Sequence, residues 1–411
     1  MPFSFLNSAP EILKSLIESG YVKPTPIQEA AIPKILEGQD LLASAQTGTG
    51  KTAAFLLPAL HKIKESAATK SVGPKILILV PTRELAMQVA GQAKKYSKYM
   101  SRVTTVCIYG GSPYPEQIRQ LARPYEILVA TPGRLIDHMD RGRIDFSQVE
   151  MFILDEADRM LDMGFIKPVE QIAAKLPKKL QTVMFSATFE KAILGLAKSL
   201  LKNPSQINLA HTTKRHENIA QSIYFADNLN HKLRLLEHLL PKKASEQTLI
   251  FTSTKSFADE LCDILREKGL SVGVLHGDLQ QRQRTKTVQQ LREGKISILV
   301  ATDVAARGID IPTISDVINF DLPANIEDYV HRIGRTGRAE LQGRAQSFVL
   351  PRDRHLVDKI ATLTNNEATI LTIPGLEPTF KKEQRNKVGR GFNRHSRNPK
   401  PRRSTYPRAQ K

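Results

Sequence analysis

The sequence predicts an α/β protein in which two domains, each a parallel sheet flanked by helices, are followed by a disordered basic tail. Three observations carry that expectation. Short apolar runs alternate with helical patterns, break off, and then restart. The length, 411 residues, exceeds what a single core usually fills. Past Pro374 the alternation stops and Arg, Lys and Pro take over, a composition that cannot bury a core.

Taken in order, Ile12, Leu13, Leu16 and Ile17 recur at helical spacing between Ser8 and Gly20, with Ser8 and Glu11 able to form a capping box. A second helix is expected from Thr25-Pro26, capped by Thr25 and Gln28. Next, between an apolar run ending near Leu42 and a helical run from Ala53, lies Ala45-Gln46-Thr47-Gly48-Thr49-Gly50-Lys51-Thr52. Gly48 and Gly50 let the main chain curl so that several N–H groups point inward at a helix start, where an anion meets the positive end of the dipole. Lys51 then reaches the β- and γ-phosphates, and the Thr52 hydroxyl is a ligand for Mg²⁺. Ala45 stands where the usual G-x4-G-K-[ST] pattern has glycine. A glycine-rich loop with an incidental lysine is the plain alternative, and only the rest of the chain can decide against it.

Buried strands are expected at Lys75–Val80, Thr104–Tyr109, Glu126–Ala130, Met151–Leu154 and Gln181–Phe185. Each gives way to polar residues: Pro81-Thr82-Arg83, Thr131-Pro132-Gly133-Arg134, Asp155-Glu156 and Ser186-Ala187-Thr188 among them. Open α/β sheets bind ligands at these carboxyl ends. The polar stretch Lys202 to Gln221 reads as an interdomain linker, bounded at 209–220 between domains of residues 1–208 and 221–373. Strands then resume at Ser222–Ala226, Thr248–Phe251, Ser271–Leu275, Ile296–Val300, Asp316–Phe320 and Ala345–Leu350. No second phosphate loop appears, so the second domain is expected to lend groups to the first domain's nucleotide.

Composition excludes several classes. Cys107 and Cys262 are far apart and lack C-x-x-C spacing, so neither a disulfide framework nor a structural zinc site is indicated. No apolar run approaches a membrane span, and the first ten residues lack a secretory pattern, so a cytoplasmic protein without a membrane partner is expected. The net charge of +19 is uneven: Gly375 to Lys411 holds twelve Lys/Arg against Glu377 and Glu383, a local +10 within the tail of residues 374–411. A polyanionic partner fits, nucleic acid before membrane.

Asp155-Glu156 after an apolar strand suits a phosphate loop, because Asp155 can hold Mg²⁺ while Glu156 orients the attacking water. Asp158 is expected to bond to the Ser186 or Thr188 hydroxyl, tying the site to the neighbouring strand end. In His331-Arg332-Ile333-Gly334-Arg335-Thr336-Gly337-Arg338, Arg335 and Arg338 lie three apart, so at helical spacing both could face one cleft as arginine fingers. The alternative is a solvated basic helix end, which gains nothing from Gly334 and Gly337. Thr82, Arg83, Thr131 and Arg134, with Thr254, Gly277, Thr302 and Arg307, could form a phosphate-binding track across both domains. For each one singly, ordinary helix capping is the commoner use.

With these stretches in place the chain resembles a DEAD-box RNA helicase from about Phe3 to Val349, and is similar in particular to the bacterial RhlE-type branch. The matching stretches run in order: Gly20–Gln28 with Phe3 upstream (a Q motif within residues 1–29), the phosphate loop, Pro81–Ala86, Gly110-Gly111, Thr131–Leu135, Asp155-Glu156-Ala157-Asp158, Ser186–Thr188, Leu249–Thr254, Gln281 with Arg284, Ala301–Asp310 and His331–Arg338. The resemblance implies two RecA-like domains that close on ATP, Mg²⁺ and RNA. It implies a nucleotide site of Tyr21, stacking on adenine, Lys23, Gln28, Ala45, Gln46, Thr47, Gly48, Thr49, Gly50, Lys51, Thr52 and, at the ribose, Asp310. Metal would sit on Thr52 and Asp155, and catalysis on Lys51, Asp155, Glu156, Arg335 and Arg338. Gly111 joins the RNA track, and Asp158, Ser186, Thr188 and His331 couple the sites.

The implied activity is RNA-stimulated ATP hydrolysis with local unwinding of short duplexes or remodelling of RNA–protein complexes. RNA would be held by its backbone and 2′-hydroxyls, single-stranded or as a short duplex. Ribosome assembly, RNA degradation and cold adaptation are all open to such a family, so a ribosomal precursor or RNA-decay complex is an expected partner. The alternatives are an ATP-gated RNA clamp with little unwinding, and a GTPase, disfavoured because Asn386-Lys387 is not followed by the x-Asp such enzymes carry.

Overall fold

A computed structural model describes residues 3, 9–45, 49–65, 73–101, 103–209, 218–240, 246–306, 311, 313–337, 342–364 and 368–379. Gln46, Thr47, Gly48, Arg307, Asp310, Arg338, Ser8 and the chain from 380 onward lie outside the described residues. The first sheet comprises β1 (Leu41–Ser44), β2 (Ile76–Leu79), β3 (Thr105–Ile108), β4 (Ile127–Ala130), β5 (Met151–Leu154), β6 (Gln181–Ser186) and β7 (Ser205–Asn208). The second comprises β8 (Ile219–Phe225), β9 (Gln247–Phe251), β10 (Val272–Leu275), β11 (Ile298–Ala301), β12 (Ile314–Asn319), β13 (Gly343–Val349) and β14 (Thr369–Ile370).

Both sheets are seven-stranded and wholly parallel, ordered β3-β4-β2-β5-β6-β1-β7 and β10-β11-β9-β12-β13-β8-β14. Adding seven to each strand of the first order gives the second, so the chain builds one architecture twice. Parallel strands need crossovers, and the helical patterns supply them on both faces. The result is a core on each side of each sheet: Ile76 and Ile78 enter one cluster, Leu77 and Leu79 the other. Each side chain so buried contributes about 1.5–3 kcal/mol before entropy is counted.

The predicted strands are present, with differences at their margins. The Lys202–Gln221 stretch contains β7 and the start of β8. With Ile207 its only apolar residue, β7 carries almost no periodicity, and pairing with β1 makes it a strand. Asp40 anchors its approach, accepting from Thr182 N at 2.8 Å and Lys202 N at 2.7 Å. The first helix, Pro10–Glu18, has Ala9 and not Ser8 at its N-cap, with Pro10 at its first position and no side-chain cap, because the alanine methyl carries no acceptor for the N–H groups that follow. At the other end, residues 374–379, read as the start of the tail, pack on the second domain. Ile373 is buried, Leu376 O meets His231 Nε2 at 3.0 Å, and Thr379 N donates to Asp227 Oδ1 at 2.9 Å. Among the described residues no helix is long and apolar enough to cross a membrane.

Candidate functional site

The carboxyl ends of β1, β5 and β6 converge on the acidic pair. β5 runs straight into Asp155, whose N–H donates to Leu79 O at 3.0 Å and continues the ladder for one more residue. The chain then turns sharply: Glu156 has φ +54°, the left-handed region, and its N–H donates to Asp155 Oδ1 at 3.0 Å. Strain of this kind persists where the surroundings enforce it. Lys51, opening the helix Lys51–Glu65, places Nζ 4.0 Å from Asp155 Oδ1, with both side chains buried. Burial raises the Asp155 carboxyl above the usual range; Lys51 opposes the shift and Glu156 adds to it. A bound divalent cation would relieve that charge.

Asp158 does not bond to the Ser186 or Thr188 hydroxyl as expected. Its Oδ2 accepts from the Ala187 N–H between them at 3.1 Å, while Ser186 Oγ turns to Thr188 O at 2.8 Å. A backbone donor held by β6 is fixed in place, whereas a hydroxyl would rotate. Burial raises the Asp158 carboxyl too. Ser44 Oγ closes the group on Ala187 O at 3.1 Å, and Ala45 N donates to Ser186 O at 3.2 Å, so the phosphate-loop strand and β6 are tied at both residues.

The residues of the Gly20–Gln28 stretch are organised around Gln28. It is buried, its Oε1 accepts from Thr25 N at 3.0 Å and its Nε2 donates to Gly50 O at 3.1 Å. At Gly50, with φ +90°, an added Cβ would lie 2.4 Å from Gln28 Nε2. Glycine is therefore required by both backbone and neighbour. Tyr21 is half-buried, its hydroxyl 2.6 Å from that of Tyr96 and its ring edge-on to Phe3 and Tyr96. Lys23 is exposed beside it. Thr52 and Thr49 lie on either side of Gly50-Lys51, and among the described residues no three His, Cys, Asp or Glu side chains cluster as a metal cage. Thr52 and Asp155 fit a cation that takes its remaining ligands from phosphates and water.

The second domain faces this group. The helix Glu327–Ile333 stops at Gly334, so Arg335 lies beyond its end and not on the helix expected to carry it, while Arg338 lies outside the described residues. Gly337 forces the turn: φ is +66° and a Cβ would meet Ile219 at 2.6 Å. Arg335 is buried and donates from Nε to His331 O at 3.3 Å. A cavity of about 10 Å³ is lined by Arg335, His331, Arg332, Asp303 and Asp328 of this domain and by Arg159 of the first. Arg159 also approaches Glu156 Oε2 at 3.4 Å. Arg332, which the sequence reading passed over, is held bidentately by Asp303 at 2.6 and 2.7 Å and bonds Asn319 Oδ1 at 3.1 Å. Buried and committed to these partners, the guanidinium organises the turn.

The track residues sit at matching places. Thr82 and Thr254 cap the helices after β2 and β9, accepting from Leu85 N at 3.3 Å and Phe257 N at 3.2 Å. Gly111 follows β3 as Gly277 follows β10, and Thr131 follows β4 as Thr302 follows β11. Gly111 has φ +81°, and an added Cβ would lie 2.2 Å from Arg83 Nη1. Arg134 Nη1 donates to Ser112 O at 3.1 Å. Across the domain boundary Arg284 Nη2 meets Glu84 Oε1 at 2.7 Å, with Gln281 Nε2 on the same oxygen at 3.5 Å. Motif order alone gives no partner for Gln281 and Arg284, and the closed arrangement supplies it.

Residues 25–195 match the family model of the DEAD/DEAH box helicase, and 231–340 that of the helicase conserved C-terminal domain. The chain is 43% identical over 375 residues to the ATP-dependent RNA helicase DeaD of Mycobacterium tuberculosis, covering 91% of this chain and 65% of that one. It thus spans less than two thirds of the DeaD relative's length. It is 42% identical to the ATP-dependent RNA helicase SrmB of Escherichia coli, covering 94% and 87% of the two chains. Among solved structures, S. cerevisiae Dbp5 bound to RNA and ADP BeF3 is similar with a TM-score of 0.81 and 34% identity, covering 90% of this chain and 95% of that one.

Proposed function

The chain belongs to the DEAD-box family of RNA helicases, and from that premise we propose that it hydrolyses ATP in an RNA-stimulated manner and opens short RNA duplexes locally. The observation that carries this reading is the closure between domains: Arg284 reaches Glu84, and Arg159 shares a cavity with Arg335, so groups from both domains are buried together. The similarity to Dbp5 in complex with RNA and a nucleotide analogue supports the same arrangement.

In this reading Gln28 and Tyr21 take the adenine, with Lys23 at the rim, and Asp310 takes the ribose. The loop from Ala45 to Thr52, including Gln46, Thr47, Gly48 and Thr49, wraps the phosphates. Thr52 and Asp155 hold Mg²⁺, which would neutralise charge developing on the transferred phosphoryl group. Glu156, fixed by its backbone and by Arg159, takes the proton of the attacking water. Arg335, with Arg338, meets the γ-phosphate from the second domain.

Thr82, Arg83, Gly111, Thr131 and Arg134 hold one part of an RNA strand, and Thr254, Gly277, Thr302 and Arg307 the next. Most of these are hydroxyls and backbone groups at strand ends, which suits a backbone-directed grip without base readout. Asp158 on the Ala187 N–H, with Ser186, Thr188 and His331, links nucleotide state to strand grip. A cytoplasmic role on ribosomal precursors or in RNA decay, and a place in the RhlE-type branch, extend the proposal. The alternative, an ATP-gated clamp with little unwinding, would be excluded by strand displacement from a short RNA duplex.

The direct test of the chemistry is Glu156→Gln. ATP and RNA binding should persist while turnover falls on the order of 10²–10⁴-fold; appreciable residual RNA-stimulated turnover would remove Glu156 from its role.

A further inference from the structure

Outward from Arg134 the first domain carries a cluster that none of the motifs explains. The Tyr114 ring, half-buried at the start of the helix Tyr114–Leu121, has three guanidinium carbons around it: Arg134 at 4.3 Å, Arg141 at 5.4 Å and Arg143 at 5.6 Å from the centroid. Gathering three like charges on one ring is unfavourable unless something offsets it, and an exposed cation–π contact offsets little. The only carboxylate paired with any of them among the described residues is Asp137, 3.7 Å from Arg134 and largely exposed. Arg141 and Arg143 have none.

Beneath the ring lies His138, fully buried and 4.9 Å from it between centroids. Its Nε2 meets Gln117 Oε1 at 3.1 Å, while its Nδ1 has no partner among the described residues. Burial, then Arg143 and Arg134, push its pKa down to about 4, so it adds no fourth charge. Arg143 Nη1 is likewise out of contact with solvent and without an acceptor. With Nε2 donating to Gln117, the neutral ring leaves Nδ1 as an acceptor, so the unmet donor here is Arg143 Nη1; together with the uncompensated charge it points to an absent anion at this place.

We propose that Tyr114, Arg141 and Arg143 form a further phosphate-binding subsite for the RNA backbone, continuing from Arg134 beyond the motif residues. Tyr114 is its positioning residue, with the guanidiniums gathered around its ring. The ligand is a phosphodiester strand because Arg134, itself one of the track residues, links the cluster directly to the loop at Ser112, next to Gly111. The inference rests on the RNA-binding reading above.

The test uses the full chain with Mg²⁺ and a non-hydrolysable ATP analogue, and measures binding of a short single-stranded RNA that fills the motif track and of a longer one that overhangs it. For the Arg141→Ala/Arg143→Ala variant, affinity for the longer strand should fall about tenfold and the log–log salt slope should shrink by about 1.4, two single-strand phosphate contacts. The short strand should bind as before. Arg141→Lys/Arg143→Lys should keep the salt slope, and Tyr114→Leu should weaken only the longer strand. Unchanged binding of both strands by the alanine variant, or equal loss on both, would overturn the subsite. A native chain that holds neither strand would instead overturn the RNA reading, and the subsite with it.

Discussion

Asp155 and Asp321 stand at the same point of two sheets with the same strand order. The N–H of Asp155 donates to Leu79 O just past β5, and that of Asp321 to Phe251 O just past β12. Their environments drive them in opposite directions. Asp155 has one lysine at 4.0 Å and two neighbouring carboxylates, and burial raises its pKa. Asp321 is also pushed upward by burial, but Lys232 at 2.9 Å and two bonds from Ser253 outweigh this and leave it below the ordinary value. The first carboxylate is left in need of a cation, and the second is committed to holding its own domain together. By contrast Thr82 and Thr254, Gly111 and Gly277, and Thr131 and Thr302 remain alike in both halves. A duplicated fold can keep the same threonines and glycines at its strand ends twice while giving the acids beside them opposite environments.

The strongest way to break this comparison is to neutralise both acids. Asp155→Asn should lower RNA-stimulated turnover on the order of 10²–10³-fold, the effect of a lost metal ligand. It should also raise the nucleotide-free melting temperature by about 2–4 °C. Asp321→Asn should do the reverse, with turnover within a few-fold of native and a melting temperature about 2–4 °C lower. The sign follows from linkage: the depressed pKa of Asp321 contributes stability above the unfolded carboxylate range of about 4, lost as pH falls through its lower folded value. Asp155, raised, contributes none at neutral pH and is relieved by protonation. Both differences should therefore vanish in acid, and melting curves across pH would show whether they do.

Next in size is the contact that joins the halves. Glu84→Ala or Arg284→Ala removes a charged hydrogen bond, and RNA-stimulated turnover should fall about 10–100-fold in either case. The double variant should be no worse than either single one; additive losses in the kinetic cycle would mean that the two residues act separately. The smallest effect is on the repeated track. Thr82→Val and Thr254→Val should each destabilise their helix by about 1 kcal/mol and weaken RNA binding by similar, few-fold amounts. A large effect in one domain alone would show that the two halves grip unequally.

Much of this was legible in the residues. Apolar runs marked eleven of the strands, β2 to β6 and β8 to β13, because a doubly covered parallel sheet writes its burial directly into sequence. β7 was not legible, since a polar edge strand gets its order from β1 and Asp40. The root of the tail was misplaced because Leu376 and Thr379 are fixed by His231 and Asp227, about 145–152 positions away in sequence. In the site, residue types at motif spacing singled out Lys51, Asp155 and Glu156, which the fold brings together at the end of β5. They could not show that Asp158 would choose the Ala187 backbone, that Arg335 would lie past its helix, or that Arg332 would be consumed by Asp303. Those outcomes depend on competition among neighbours that only the folded chain brings together.

The division of one site between two domains is tested most directly at Arg335. Single-turnover hydrolysis should be measured with saturating ATP and RNA for Arg335→Ala beside the native chain, with nucleotide affinity determined separately. The expected result is a rate lower by about 10³-fold or more at nearly unchanged ATP affinity; a rate within threefold of native would contradict it, because the first domain would then hydrolyse ATP on its own.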